Sequence, residues 1–230
     1  MDENVFHVED PPLVQDALDR RIAENDYSRT DLQEYVSGLK HLNVHEKRLL
    51  LRTLRKFESL FDGTLGEWRG KPYHIRLREG VTPYHAKAYP VPRINLTTMR
   101  NEVERLVKIG VLRRVNRSEW AAPTYLVKKK NVNAQGIAKA RFITDFRQLN
   151  ARIKRTPFPI PKIQDLLQQL EGFTYATAID LNMGYYHIKL DAESRKLCTI
   201  VLPWGKYEYT SLPMGLSNSP DIFQEKMNEL

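Results

Sequence analysis

Strand-like runs that follow one another with short connections are the feature that most restricts the possible folds of this chain. Four such runs occupy residues 175–181, 186–190, 198–202 and 206–209. A β-hairpin with a basic tip is predicted just before them, with its arms at residues 123–127 and 140–144. Helix-like segments stand before, between and after these runs. The arrangement favours an α+β fold over a doubly wound sheet.

Apolar residues recur at helical spacing in four segments. The predicted helices begin near residue 44, near residue 95, at residue 161 and at residue 219. Residues 156–161 read Thr-Pro-Phe-Pro-Ile-Pro and cannot be helical, because each proline disfavours the α region for the residue before it. The third helix is therefore expected to start only where this segment ends.

The first part of the chain is less regular. Residues 2–31 are polar and acidic and predict a linker, with at most a short helix around residues 14–23. Residues 63–92 are rich in Gly, Pro and aromatic side chains, which indicates an extended arm with one short strand at residues 73–77.

Basic side chains are concentrated in one part of a chain whose formal net charge is +8. Residues 1–62 hold 9 Lys and Arg against 13 Asp and Glu, whereas residues 93–155 hold 16 against 4. A localised basic surface is what a nucleic-acid groove requires. The alternative is an ordinary solvated surface.

Other classes of protein are disfavoured by composition. Cys198 is the only cysteine, so we expect neither an internal disulfide framework nor a cysteine zinc cluster, and a reducing, intracellular environment is the simplest expectation. No apolar run approaches the roughly 18 residues of a membrane span, and the acidic start is unlike a signal peptide. We therefore expect no membrane partner.

Asp180 is the candidate catalytic residue that the local pattern suggests. It ends the apolar run at residues 176–179, and a carboxylate at a buried strand end is costly unless it is paired, hydrogen-bonded or bound to a cation. A metal site is one interpretation. The other is an aspartate that caps the turn after a strand.

Five ordered motifs distinguish between these interpretations. They are Val-Lys-Lys-Lys at 127–130, Arg-Phe-Ile-Thr-Asp-Phe-Arg-Gln-Leu-Asn at 141–150, Pro-Ile-Pro at 159–161, Ala-Ile-Asp-Leu-Asn-Met-Gly-Tyr at 178–185, and Leu-Pro-Met-Gly-Leu-Ser-Asn-Ser-Pro at 212–220, the last followed by Phe223 and Gln224. In order and spacing they resemble the blocks of reverse transcriptases from LTR retroelements. Residues 61–63 and 90–92 look like the lead-in of the gypsy group, so the resemblance covers about residues 61–230.

The resemblance implies a partial right-hand polymerase of the α+β class. Residues 1–60 would be a connector, partly disordered and then helical, and residues 61–230 a truncated reverse transcriptase domain. The expected fingers are residues 93–155 and 188–217. The expected palm pieces are residues 156–187 and 218–230.

The resemblance also assigns roles to individual residues. Asp180 matches the first catalytic metal ligand, Leu181 would add a backbone carbonyl, and the complete enzyme would use two Mg²⁺ ions for in-line displacement. Tyr185 matches the aromatic residue that excludes a nucleotide with a 2′ hydroxyl. Met214 stands where the group more often has Phe, so the expected role of Met214 is packing. The implied nucleotide-binding residues are Lys129, Arg141, Met183, Gly184, Tyr185 and Met214, and the implied template-binding residues are Tyr125, Arg147 and Asn150.

The sequence departs from the family in one respect. The family's further metal ligands come from a Tyr-x-Asp-Asp hairpin, which these 230 residues do not contain, and thumb and RNase H segments are also missing. We therefore expect that the parent protein is an RNA-directed DNA polymerase and that these 230 residues are inactive on their own. Its expected partners are an RNA or DNA template with primer, deoxynucleoside triphosphates and the remainder of a Pol polyprotein, in the cytoplasm or in virus-like particles. The alternatives are a non-enzymatic nucleic-acid-binding remnant and a non-functional gene fragment.

Overall fold

The computed structural model describes residues 29–132, 138–169, 172 and 177–229. The predicted helix at residues 14–23 lies outside the described residues. The described chain divides into two compact units. The first contains residues 29–63 together with residues 129–132 and 138–139, and the second contains residues 64–128 and the described part of 140–229.

The described part of the first unit contains two helices, α1 (Leu32–Gly38) and α2 (Val44–Lys56), followed by a 3-10 turn at Glu58–Leu60. Each helix begins at a side-chain cap. The Asp31 carboxylate accepts hydrogen bonds from the backbone of residues 33 and 34, and Asn43 forms a reciprocal capping box with Glu46. The prediction of a helix from residue 44 is confirmed, whereas α1 was not predicted.

A five-stranded mixed sheet organises the second part of the fold. Its strands are β1 (Leu112–Val115), β2 (Ala122–Val132), β3 (Ala138–Thr144), β4 (Thr199–Leu202) and β5 (Gly205–Tyr209). Their order across the sheet is β1-β5-β4-β2-β3, with β5 antiparallel to both neighbours and β2 parallel to β4. The predicted strands at 123–127, 140–144, 198–202 and 206–209 are confirmed. Strand β1 was not predicted.

Helix α3 (Arg93–Lys108) belongs to the core of the second unit. Met99, Val103 and Leu106 recur at helical spacing, and all three are buried. Gly110 has a left-handed φ of 75° just after the helix, a conformation that glycine adopts without steric cost. The predicted helix from residue 95 to Gly110 is thus confirmed with an earlier start.

Shorter helices complete the second unit: α4 (Arg147–Asn150), α5 (Ile163–Gln169), α6 (Ala192–Leu197) and α7 (Ser219–Asn228). Helices α5 and α7 match the predictions, while α4 and α6 were not predicted. Residues 156–162 are not helical, as their prolines require. None of the helices in the described part of the chain has both the length and the apolar character that crossing a bilayer requires.

Three predicted strands are wrong. Residues 73–77 form only isolated bridges, at Tyr73 and at Leu77. Residues 177–181, the described part of the run at 175–181, are exposed and not in a strand. The run at 186–190 begins instead with a 3-10 turn at Gly184–His187, because Met183 turns the backbone into the left-handed region with φ 54°. Only single bridges follow, Lys189 with Ser211 and Leu190 with Tyr73. Apolar alternation alone does not supply the continuous partner that a strand needs.

Replacing Leu106 by Ala is expected to lower the free energy of unfolding by about 2–5 kcal/mol, because the side chain is only 1% exposed and its loss leaves a cavity. The matched control is Val107→Ala on the same helix. Val107 is 39% exposed, so a change of less than about 1 kcal/mol is expected. Urea unfolding followed by circular dichroism measures both values, and equal losses would contradict this packing.

Candidate nucleic-acid interface

A cleft of about 730 Å³ opens on the second unit where β3 ends. It combines residues from four separate stretches of chain: the extended arm, β2, the end of β3 with α4, and the turn after residue 212. The predicted template-binding residues Tyr125, Arg147 and Asn150 all line it. The complete lining consists of Tyr89, Pro90, Tyr125, Ile143, Thr144, Asp145, Phe146, Arg147, Asn150 and Gly215.

Arg147 is held in the cleft by the carboxylate of Asp145. Its Nε donates to Oδ1 at 2.8 Å and its Nη2 donates to Oδ2 at 2.7 Å. The hydrogen bonds from Arg147 hold the pKa of Asp145 down to about 2, against the opposing effect of burial. The side chain of Arg147 remains 83% exposed, whereas that of Asp145 is 13% exposed. The guanidinium is therefore oriented and still accessible to a ligand.

Asn150 connects helix α4 to the neighbouring turn. Its Nδ2 donates to the carbonyl of Gly215 at 2.9 Å, and its Oδ1 accepts from the backbone N–H of Ser217 at 2.9 Å. Gly215 has φ 91°, which disfavours any residue with a Cβ. The amide of Asn150 thus positions this turn, which also carries the exposed Met214.

An aromatic pair forms another part of the lining. The rings of Tyr125 and Tyr89 lie edge to face, with centroids 5.9 Å apart and planes at 67°. The hydroxyl of Tyr89 donates to Asp145 Oδ2 at 3.1 Å, and this bond raises the pKa of Tyr89. Tyr89 was not predicted as a site residue. The only signal in the sequence was an aromatic residue directly before Pro90, where the second part of the lead-in motif begins.

The predicted nucleotide-binding residues Met183, Gly184 and Tyr185 form one tight turn. A Cβ on Gly184 would lie 3.0 Å from the ring of Phe223, so a larger residue would require this ring of α7 to shift. The ring of Tyr185 packs edge to face against Phe223, with centroids 5.3 Å apart. Burial raises the pKa of Tyr185.

Lys129 and Arg141, the predicted phosphate-binding residues, lie in β2 and β3 respectively. The side chain of Arg141 is exposed. Both residues therefore occupy the strands of the predicted hairpin, in agreement with the secondary structure expected from the sequence.

Asp180 and Leu181 are exposed, at 177–181, directly before the turn that begins at Met183. The expectation of a carboxylate at a buried strand end is wrong, because the segment is not part of the sheet and its neighbour Ile179 is 81% exposed. Within the described residues, no three His, Cys, Asp or Glu side chains come together as a metal-binding group. Asp180 offers a carboxylate that a ligand in solution can reach.

Stability should depend on pH through Asp145. Its pKa in the folded chain is about 2, below its ordinary value of 3.8, so its contribution is present above about pH 4 and is lost as pH falls toward 2. Asp145→Asn should therefore destabilise the chain more at pH 7 than at pH 3. Urea unfolding of both proteins at the two pH values measures this, and an unchanged difference would contradict the ion pair.

Comparison with known proteins agrees with this fold. Residues 127–230 match the family described as reverse transcriptase (RNA-dependent DNA polymerase). The chain is 30% identical over 230 residues to the retrovirus-related Pol polyprotein from transposon 297 of Drosophila melanogaster, covering 99% of this chain and 21% of that protein. It is 34% identical over 148 residues to the Pol polyprotein from transposon gypsy of the same organism, covering 64% and 14%. The chain thus spans about a fifth or less of these two relatives.

Solved structures extend the agreement to three dimensions. The protease-reverse transcriptase of prototype foamy virus, in a selenomethionine-labelled CSH mutant, matches with a TM-score of 0.72 and 25% identity, over 88% of this chain and 27% of that one. A foamy viral protease-reverse transcriptase in complex with RNA/DNA hybrid shares the fold with a TM-score of 0.70 and 21% identity, over 86% and 26%. From its ordered motifs, its mixed sheet and these matches, the chain belongs to the reverse transcriptase family, among the Pol polyproteins of gypsy-type retrotransposons.

Proposed function

We propose that this chain supplies the template-binding and part of the nucleotide-binding surface of an RNA-directed DNA polymerase. The observation that carries the proposal is the cleft in which Tyr125 of β2 comes together with Arg147 and Asn150 of α4. Two foamy viral relatives of the same fold were solved in complex with RNA/DNA hybrid and with double-stranded DNA. A nucleic-acid strand is therefore the ligand that we assign to the cleft.

The chemistry of the cleft suits a template strand. Arg147 presents a fork of N–H donors to a phosphate, and Asp145 keeps that fork oriented before the ligand arrives. Tyr125 is 41% exposed and offers a ring on which a base can stack. Asn150 keeps the turn at Gly215 and Ser217 in place beneath the strand.

The nucleotide side of the proposal rests on two groups of residues. Lys129 and Arg141 would bind the triphosphate, because cationic donors offset the charge that develops there.

The second group is the turn at residues 183–185. Met183 and Gly184 shape the turn that carries Tyr185, and the ring of Phe223 restricts the motion of the Tyr185 ring. A rigid aromatic side chain at this position can exclude a 2′ hydroxyl by contact with the sugar. Met214, exposed on the turn beside the cleft, would contribute packing.

Asp180 is the residue that would hold Mg²⁺, together with the backbone carbonyl of Leu181. Both supply oxygen, the donor that Mg²⁺ prefers, and Mg²⁺ is commonly held by one or two carboxylates with substrate phosphates and waters. The exposed position of Asp180 fits such a shared site. When bound there, Mg²⁺ would supply the positive charge that favours ionisation of the primer 3′ hydroxyl and offsets the charge of the leaving phosphate. The chain's own task is to present this carboxylate at an exposed position.

A second function, binding without turnover, follows for the 230 residues on their own. The cleft residues are all present, whereas the sequence contains no Tyr-x-Asp-Asp motif to supply further metal ligands. We therefore propose that the 230-residue chain binds a template and does not extend a primer.

Arg147→Ala should weaken binding of a labelled single-stranded oligonucleotide and reduce the slope of log affinity against log salt by about 1, because one phosphate contact is lost. Arg52→Ala is the matched control, since Arg52 is an exposed arginine on α2 and does not line the cleft. Fluorescence anisotropy at several salt concentrations measures both. Binding by the unaltered chain that does not weaken as salt rises would refute the template cleft.

Primer extension tests the role of Asp180. The 230-residue chain with Mg²⁺ and a primer on poly(rA) should give no extended product. In the longer polyprotein that also carries Tyr-x-Asp-Asp, Asp180→Asn should lower the extension rate by more than about 100-fold, since even partners behind the ligands of a metal site contribute 10- to 100-fold. Asp165→Asn, at an exposed aspartate of α5, should leave the rate unchanged. Full activity of Asp180→Asn would remove Asp180 from the metal site.

A further inference from the structure

Tyr89 is an aromatic residue of the cleft to which the motifs assign no role. Its ring and that of Tyr125 are 37% and 41% exposed, so each offers part of its surface to a ligand. The two planes differ by 67°, and the centroids are 5.9 Å apart. Two accessible rings with different orientations therefore line the same cleft as the Arg147 guanidinium.

Two features of the structure determine the orientation of the Tyr89 ring. Pro90 follows it and restricts the backbone of Tyr89 to extended conformations. Asp145 accepts the Tyr89 hydroxyl at 3.1 Å while it also accepts both hydrogen bonds of the Arg147 fork. One carboxylate thus orients an aromatic ring and a cation together.

We propose that Tyr89 is a further base-contacting residue of the cleft, and that Asp145 is the positioning residue that aligns Tyr89 with Arg147. The proposal rests on the proposed function, because it takes the cleft as the site of a nucleic-acid strand. A base stacks on the Tyr89 ring while Arg147 binds a phosphate of the same strand. Stacking on tyrosine accepts every base, which suits a polymerase that must read any template.

The test compares an oligo(dT) strand with an abasic strand of the same length, because only the first can stack. Tyr89→Ala in the full chain should weaken oligo(dT) binding about tenfold and leave abasic binding unchanged. Tyr89→Phe keeps the ring but loses the hydroxyl that Asp145 accepts, so it should bind oligo(dT) more tightly than Tyr89→Ala and less tightly than the unaltered chain. Tyr35→Ala, at an exposed tyrosine of α1, is the control that should change neither affinity.

Three further variants guard against a merely structural effect. Tyr89→Leu retains apolar bulk without an aromatic face, so it should show the same loss as Tyr89→Ala even if the alanine variant folds poorly. Asp145→Ala should shrink the preference for oligo(dT) over the abasic strand although Tyr89 is intact, and Asp145→Asn, which keeps an acceptor for Tyr89, should restore most of that preference. Equal loss on both strands would overturn the positioning role.

The outcomes separate this inference from the proposed function. If Arg147→Ala weakens binding while Tyr89→Ala and Tyr89→Leu bind oligo(dT) like the unaltered chain, the inference is overturned and the template cleft stands. If neither the arginine nor the tyrosine variants change the binding of either strand, the cleft is not the template site and both proposals fail.

Discussion

The end of strand β3 is the constraint on which the cleft depends, because three consecutive residues there connect the core to the surface. Thr144 is buried and its hydroxyl bonds to Thr124 at 3.2 Å and to Tyr209 at 3.3 Å. Phe146 is 2% exposed and its ring packs near that of Tyr209, with centroids 6.1 Å apart. With both neighbours anchored, Asp145 has little freedom, and the Arg147 guanidinium that it binds is oriented by the core of the second unit.

The turn at residues 183–185 shows a different kind of constraint. Met183 adopts a left-handed backbone conformation, which costs free energy for any residue that has a side chain. Such conformations persist only where the surrounding structure imposes them. Here Gly184 lies against the Phe223 ring and Tyr185 packs on the same ring, so α7 determines the shape of the turn. The packing of Gly184 and Tyr185 on Phe223 thus accounts for the strained backbone at Met183.

The long amphipathic helices and the strands β2 to β5 could be predicted because apolar periodicity reports directly on burial. Helix α3 illustrates this, since Met99, Val103 and Leu106 mark its buried face in the sequence. The predicted strand at 186–190 failed although its residues alternate. Its backbone pairs with two different partners, Tyr73 and Ser211, one bridge each, and no local pattern encodes that choice. The predicted burial of Asp180 failed because the apolar run before it does not enter the sheet.

By itself the sequence determined the membership of the family, the α+β class and three of the cleft residues, Tyr125, Arg147 and Asn150, since motifs and periodicities are local. Tertiary structure alone decided that Tyr89 meets Tyr125, that Asn150 holds the turn at Gly215, and that Asp180 is exposed. These relations join residues far apart in the chain. They depend on how the ends of β3 and α4 are placed against the extended arm and the turn after residue 212, and this placement is a property of the packed core rather than of any single segment.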